Sequence, residues 1–190
     1  MSTRCPSVRA GVLSVLVALA ASALLTGCPG RAPVVYAPPD YPSWRRTTNA
    51  VLDYPIPGHQ ERLRIPRMND IGFGVQPTVE GGKRRWSFPE GTVIVKEVYR
   101  TPTPAQGEGP IQLTIMVKAP RDSRAQGGWL WVTRGLPRGR DAVFSGTFCI
   151  TCHANANEKH PYGDGNPSEE FRDYVYFVPG EVPAGAGGKG

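Results

Sequence analysis

Two cysteines and a histidine with a characteristic spacing stand at Cys149-Ile150-Thr151-Cys152-His153 of the 190-residue chain. Positions i and i+3 of a helical turn lie on the same side, so both thiols would face the same way. This C-x-x-C-H pattern is typical of covalent haem attachment. The adjacent histidine would then lie beneath the haem ring, where an imidazole nitrogen can bind iron. The motif therefore predicts one haem c with His153 as an iron ligand.

Three other uses of these residues remain open. A disulfide between Cys149 and Cys152 suits an oxidising compartment, and C-x-x-C pairs also serve thioredoxin-like redox proteins. A zinc site would need four ligands, and only His153, His160 and His59 could join the two thiols. The chain shows no βαβ pattern of the thioredoxin kind, which favours the haem.

The first 27 residues have the pattern of a secretory signal peptide. Arg4 and Arg9 supply positive charge, and an apolar run over Gly11–Leu25 leads into Leu25–Cys28 (LTGC). Small residues before a cysteine at this point resemble the lipobox of bacterial lipoproteins, in which the cysteine is acylated. The run is shorter than the roughly 20 residues that span a bilayer, although an uncleaved anchor and an ordinary signal peptide stay as alternatives. We expect a lipid on Cys28 and a domain in the envelope of a bacterium, facing the periplasm or the exterior.

Composition divides the rest of the chain. Residues 28–47 are Pro-rich and predict an extended tether, residues 48–179 form the folded domain, and residues 180–190 predict a disordered tail. The net charge of +6 falls to +4 when the signal peptide and its two arginines are removed. The basic residues are scattered, and we interpret Arg84-Arg85 and the group Arg134, Arg138 and Arg140 as solvated loops. Nucleic acid is therefore not an expected partner.

Alternating apolar and polar residues indicate strands in the folded part. The 23 glycines and 20 prolines of the chain disfavour long helices, and no long stripe of helical period occurs. We therefore predict a mainly β domain, an antiparallel sheet or sandwich with a few short helices. The strands expected are Thr92–Tyr99, Ile111–Lys118, Trp129–Thr133 and Tyr174–Val178, with a weaker one over Glu61–Ile65.

Lys96 is unusual because it shares a strand face with Ile94 and Val98, whereas Glu97 lies on the opposite face. Such a lysine either extends along an edge towards solvent or points into a pocket. Periodicity alone favours the first interpretation.

The order of several motifs resembles the cytochrome P-460 family over about residues 50–179. The motifs are Gly58–Asn69, Gly91–Glu97, Leu113–Lys118, Gly128–Trp131, Cys149–His153 and Asp173–Val175. The resemblance implies a mainly β haem domain, with Cys149 and Cys152 as thioether anchors and His153 as the proximal ligand. Lys96 matches a lysine that is cross-linked to the haem in cytochrome P-460, and Arg64 aligns with an arginine of the distal pocket.

Three functions are compatible with this resemblance. The chain could oxidise hydroxylamine or nitric oxide at an open haem site, or bind nitric oxide without turnover. It could also carry electrons with a six-coordinate iron, for which Met116 and His160 are the candidate ligands after Met68 and His59. The catalytic members of the family use a distal carboxylate as proton acceptor. The strand that faces this role here offers Gln112, Met116 and Lys118 and no carboxylate. This difference favours binding of the gas without turnover. Expected partners are the small nitrogen ligand, a periplasmic redox partner, the membrane through the lipid, and a second copy in a homodimer.

Overall fold

The computed structural model describes residues 36–49, 51–54, 56–58, 63–101 and 107–180. Strands dominate this part of the chain, and its helices are short, so the predicted fold class is confirmed. The strands are β1 Arg45–Arg46, β2 Arg64–Met68, β3 Thr78–Glu80, β4 Lys83–Arg85, β5 Val93–Val98, β6 Gln112–Lys118, β7 Trp129–Gly135 and β8 Ala142–Val143. The helices are α1 Asp70–Phe73 and α2 Phe148–Ala154, with single 3-10 turns at Tyr41–Ser43 and Asn155–Asn157.

Six strands form one antiparallel sheet in the order β1-β2-β5-β6-β7-β8, and β3 and β4 form a separate hairpin. The strands predicted at Thr92–Tyr99, Ile111–Lys118 and Trp129–Thr133 correspond to β5, β6 and β7. The weaker prediction at Glu61–Ile65 is displaced along the chain, since β2 starts at Arg64. Glu61 itself lies outside the described residues.

The sheet presents two different faces because side chains alternate along each strand. Lys96 is paired with Pro66 on β2 and with Thr114 on β6, so these three residues share one face. Val95 is paired with Ile115, and their face carries a buried apolar cluster. Neighbouring residues of β5 therefore serve two separate layers of the molecule.

The N-terminal part of the described chain covers the face that carries Val95. Ala37 is buried there, and Tyr36, Tyr41 and Trp44 pack against the same cluster. These residues fall within the segment 28–47 that composition assigned to the tether. The structure thus places residues from Tyr36 onwards in the domain, because their aromatic side chains remove apolar surface from water.

The strand predicted at Tyr174–Val178 is wrong. Asp173 and Tyr174 have positive φ values of 50° and 69°, a left-handed conformation that cannot continue a strand. Val175 and Val178 are both buried in a second apolar cluster, which lies on the sheet face that carries Lys96. The apolar residues of this segment therefore reflect a buried irregular turn rather than strand alternation.

The basic residues interpreted as loops also need correction. Arg84 and Arg85 lie in β4, and Arg84 forms a two-pronged ion pair with Glu170 at 2.6 and 2.9 Å. Arg134 lies in β7 and forms a similar pair with Asp141. Within the described part of the chain, no helix has the length and apolar character required to cross a membrane.

Candidate functional site: a cavity beside the C-x-x-C-H helix

Helix α2 carries the C-x-x-C-H motif and fixes the two thiols one turn apart. Cys149 and Cys152 are both free and half-buried. Cys152 and His153 line a cavity, and Cys149 packs against the apolar cluster beside it. Burial raises the pKa of the Cys149 thiol, and the nearby Lys96 opposes that shift. The helix thus presents both thiols and the imidazole near one concave surface.

The hydrogen bond of His153 determines which ring nitrogen is available to a metal. Its Nδ1 lies 2.9 Å from the carbonyl oxygen of Tyr174. A carbonyl can only accept, so Nδ1 carries the proton and Nε2 keeps its lone pair. Burial, followed by the charge of Lys96, lowers the pKa of His153 to about 3. The imidazole is therefore neutral at physiological pH, which is the form that binds iron.

Two aromatic side chains hold the His153 ring from its sides. The Trp131 ring centroid lies 4.7 Å away, and the Tyr176 ring stands edge-on at 5.2 Å. Tyr176 also donates its hydroxyl to the carbonyl of Cys152 at 2.7 Å. This contact ties the segment after Asp173 to the end of α2, so the imidazole has little freedom to rotate.

A cavity adjoins the motif helix, and it encloses about 940 Å³ when the open space at its mouth is included. Its wall consists mainly of apolar and aromatic groups, which come from the sheet and from the segments around it. The described lining residues are Thr47, Leu52, Tyr54, Ile56, Arg64, Pro66, Ile94, Lys96, Thr114, Ile115, Met116, Trp131, Val132, Cys152, His153, Tyr162, Val175, Tyr176 and Phe177.

Arg64 lies in this wall as a fully buried cation. Its Nη2 donates to the carbonyl of Tyr54, and its Nε donates to that of Leu52 at 3.4 Å. Its Nη1 is buried and finds no partner among the described residues. Burial lowers the pKa of Arg64, yet an arginine stays protonated in proteins. The unpaired donor is suited to a polar or anionic group in the cavity.

Lys96 also lines the cavity, so the pocket interpretation of this residue holds and the edge interpretation is wrong. Burial and, to a smaller extent, the charge of Arg64 lower its pKa to about 7. A large share of its amine is thus neutral at physiological pH. Glu97 lies on the opposite face, as strand alternation predicts, where it is buried beside Arg67 at 3.3 Å.

Other candidate ligands divide between the cavity and the scaffold. Met116 and Met68 are both buried in the apolar cluster on the sheet face that carries Lys96, and of the two Met116 also lines the cavity. His160 accepts a hydrogen bond at Nδ1 from the backbone of Tyr162 and is not a lining residue. No group of three or more metal-binding side chains occurs in the described ranges, which removes support for a zinc site there. His59 lies outside those ranges.

Acidic residues between His153 and Asp173 serve the scaffold instead of the cavity. Asp164 pairs with the buried Arg172, and Glu170 pairs with Arg84. Among the described lining residues none is an aspartate or glutamate. The distal carboxylate of catalytic relatives therefore has no counterpart in this part of the wall.

The residues present fit a haem c. Two free thiols lie one helical turn apart, a neutral imidazole offers Nε2, and a large apolar cavity adjoins them. The buried Nη1 of Arg64 adds a polar donor that has no partner among the residues described. A mainly β domain with this set of groups belongs to the class of β-sheet haem proteins. The match of the Cytochrome P460 family to residues 38–177 then places the chain in that family, as a P460-type haem c cytochrome. A search among curated proteins finds no match to the chain.

Sequence reasoning identified the motif but missed the residues that hold it. Tyr174, Tyr176 and Trp131 all contact His153. The Asp-Tyr-Val sequence was part of the family resemblance, but its alternating pattern suggested a strand. A clue was available in the polar Asp173 immediately before an apolar run, since a buried acid needs a partner.

Proposed function

We propose that this chain is a lipid-anchored monohaem cytochrome of the bacterial envelope that binds nitric oxide or hydroxylamine at an open haem site. Cys149 and Cys152 form thioether bonds to the haem, and His153 binds the iron through Nε2. The observation that carries the proposal is the cavity that brings Cys152, His153, Lys96 and Arg64 into one wall. When bound, the haem supplies an open coordination position and a centre that exchanges electrons.

The protein side of this function consists of three tasks. The Tyr174 carbonyl keeps the proton on Nδ1 of His153, so the opposite nitrogen stays free to ligate. Apolar side chains such as Ile94 and Val175 keep water away from the bound ligand. The buried Nη1 of Arg64 is a donor that can stabilise negative charge on a ligand or on a haem propionate. Binding without turnover is the better-supported variant, because no carboxylate lines the described wall to accept protons from hydroxylamine.

An absorption spectrum of the holoprotein, reduced with dithionite and then exposed to nitric oxide, tests the proposal. We expect a five-coordinate ferrous spectrum that shifts on addition of the gas. A sharp six-coordinate spectrum that ignores nitric oxide would instead indicate an electron carrier, with Met116 as the first candidate ligand because it lines the cavity. The variant Met116→Leu would then restore the gas response.

A covalent bond between Lys96 and the haem is a second testable part of the proposal. Such a bond would replace one amine N–H and one haem C–H bond by an N–C bond, with release of two protons and two electrons, so its formation would require an external two-electron oxidant such as a peroxide. The amine must also be neutral to react, and a pKa of about 7 provides that form. We expect a ferrous Soret band far to the red of an ordinary c-type cytochrome, and haem mass on the peptide that contains Lys96. Lys96→Met should return the band to the ordinary position. A digest in which Lys96 occurs only in unmodified peptide would contradict the cross-link.

The lipid anchor rests on Leu25–Cys28, which lies outside the described residues. We expect Cys28→Ser to abolish acylation and to move the holoprotein from the membrane fraction to the soluble fraction. Labelling with a fatty-acid analogue together with fractionation measures both effects. Unchanged membrane association of Cys28→Ser would point to an uncleaved anchor.

A further inference from the structure

The segment that holds His153 contains two adjacent residues in an unfavourable backbone conformation. Asp173 and Tyr174 have φ values of 50° and 69°, although neither is a glycine. Such conformations are energetically unfavourable and persist only where the surroundings enforce them. The carbonyl of Tyr174, the second of these two residues, is the one that accepts the hydrogen bond from Nδ1 of His153. The strained pair therefore sets the position of the imidazole's hydrogen-bond acceptor.

Lys118 on β6 provides one of the contacts that enforce this conformation, an ion pair with Asp173. Its Nζ lies 2.8 Å from one carboxylate oxygen of Asp173 and 2.7 Å from the other. Both side chains are largely buried, with 13% and 7% of their surfaces exposed. The backbone N–H of Phe88 donates to the same carboxylate at 3.0 Å. A buried ion pair with its remaining lone pairs satisfied in this way is rigid.

The backbone around the strained pair is fixed as well. The indole N–H of Trp129 donates to the carbonyl of Asp173 at 2.9 Å. The Oδ1 atom of Asn157 accepts from the N–H of Tyr174 at 3.1 Å. The peptide between Asp173 and Tyr174 is therefore held on both of its polar sides. The next peptide, which carries the Tyr174 carbonyl, is also held, because the N–H of Val175 donates to the carbonyl of Arg172 at 3.0 Å.

The Tyr174 ring reinforces this arrangement through a close backbone approach. A Cβ atom on Gly127 would lie 2.8 Å from the Tyr174 ring and 2.7 Å from the Ile150 side chain, and Gly127 has a positive φ of 62°. Only glycine fits at this position without displacing both neighbours. Helix α2 and the turn at Tyr174 are thus packed against the same point.

We propose that Asp173 is a positioning residue that, together with Lys118, holds the Tyr174 carbonyl against Nδ1 of His153 and so sets the electron donation of the imidazole to the haem iron. A hydrogen bond from Nδ1–H to a fixed acceptor raises the basicity of the ligating nitrogen. A more basic ligand stabilises the ferric state and lowers the reduction potential. This inference rests on the proposed role of His153 as the iron ligand.

The positioning role and simple electrostatics predict shifts of the reduction potential in different directions for one substitution. A measurement of the potential therefore separates the two explanations. Lys118→Met removes a positive charge near the haem, and that change alone lowers the potential, or leaves it unchanged if Asp173 then takes up a proton. Loss of positioning releases the Tyr174 carbonyl and raises the potential. The double variant Lys118→Met/Asp173→Asn leaves the net charge as it was, so electrostatics predicts no shift for it and positioning again predicts an upward one.

The test measures the reduction potential and the iron–histidine stretching frequency of the ferrous holoprotein in Lys118→Met, Asp173→Asn and the double variant. We expect a higher potential and a lower stretching frequency in Lys118→Met and in the double variant. The matched control is Arg134→Met/Asp141→Asn, which removes another partly buried ion pair whose residues do not line the cavity. It should leave both values unchanged. An unchanged stretching frequency in the double variant, or a downward shift of potential in Lys118→Met, overturns the inference.

Two further comparisons keep the outcomes distinct. The double variant leaves no unpaired buried charge and decides the matter if a single variant fails to accumulate as holoprotein. His153→Gly separates this inference from the proposed function. If the iron–histidine band survives in His153→Gly, His153 is not the ligand and both fail. If the band is lost there but the double variant matches the wild type, only the positioning role fails.

Discussion

In a Lys96→Met background, simultaneous replacement of Cys149 and Cys152 by serine is expected to abolish covalent haem attachment completely. Serine keeps the size and the helical position of each side chain but cannot form a thioether bond. The haem would then be held by the His153–iron bond and by cavity contacts, which denaturation removes. A haem-stained denaturing gel and extraction with acidified organic solvent measure this effect. We expect no stain in this variant, which lacks Cys149, Cys152 and Lys96, and complete recovery of haem in the organic phase.

The matched control for this prediction is Cys28→Ser, which makes the same chemical change at the lipid site. It should keep the full haem stain. The variant that lacks Cys149 and Cys152 but keeps Lys96 should retain a residual stain through the proposed Lys96 bond. The addition of Lys96→Met should then remove the stain, and a stain that survives even this change would contradict the attachment proposed here.

The second large effect is expected at Trp129, because its fully buried ring supports both the apolar cluster and the turn at Asp173. It packs edge-on against Phe88 with ring centroids 5.9 Å apart, and its indole donates to the carbonyl of Asp173. Trp129→Ala should lower the free energy of unfolding by about 3–5 kcal/mol through lost contacts and an unfilled cavity. Urea unfolding of the holoprotein measures the change.

Trp129→Phe separates the two contributions of this side chain. It keeps most of the ring but leaves the Asp173 carbonyl without its donor, so we expect a smaller loss of about 1–3 kcal/mol. A loss below about 1 kcal/mol in Trp129→Ala, measured against the range for large-to-small substitutions, would show that this ring is not part of the stable core.

The sequence was sufficient for the central strands, for physical reasons. Residues of β5 and β6 alternate between two covered faces, so their pattern of branched apolar residues is strong. The same alternation correctly assigned Glu97 to the face opposite Lys96. The hairpin of β3 and β4 could not be predicted, because its side chains are exposed and carry no periodic signal.

The candidate site was only partly predictable. The C-x-x-C-H motif is local, so spacing alone brought Cys149, Cys152 and His153 together. The contacts of His153 with Trp131 and Tyr174 join residues far apart in sequence, and no local pattern records them. Lys96 shows the limit most clearly, since periodicity favoured an edge position and only the resemblance pointed to the pocket where the structure places it.

The two covered faces of β5 restrict how this site can change during evolution or engineering. A one-residue insertion or deletion in β5 would exchange its faces, moving Val95 or Glu97 into the cavity and Lys96 into the apolar layer under Tyr36 and Trp44. Both layers would be disrupted together, so we expect such length changes to destabilise the domain. New chemistry in the cavity must therefore come from side-chain replacement at fixed positions. Thr114, paired with Lys96 and already lining the cavity, is the position at which a single substitution would introduce a carboxylate beside that lysine.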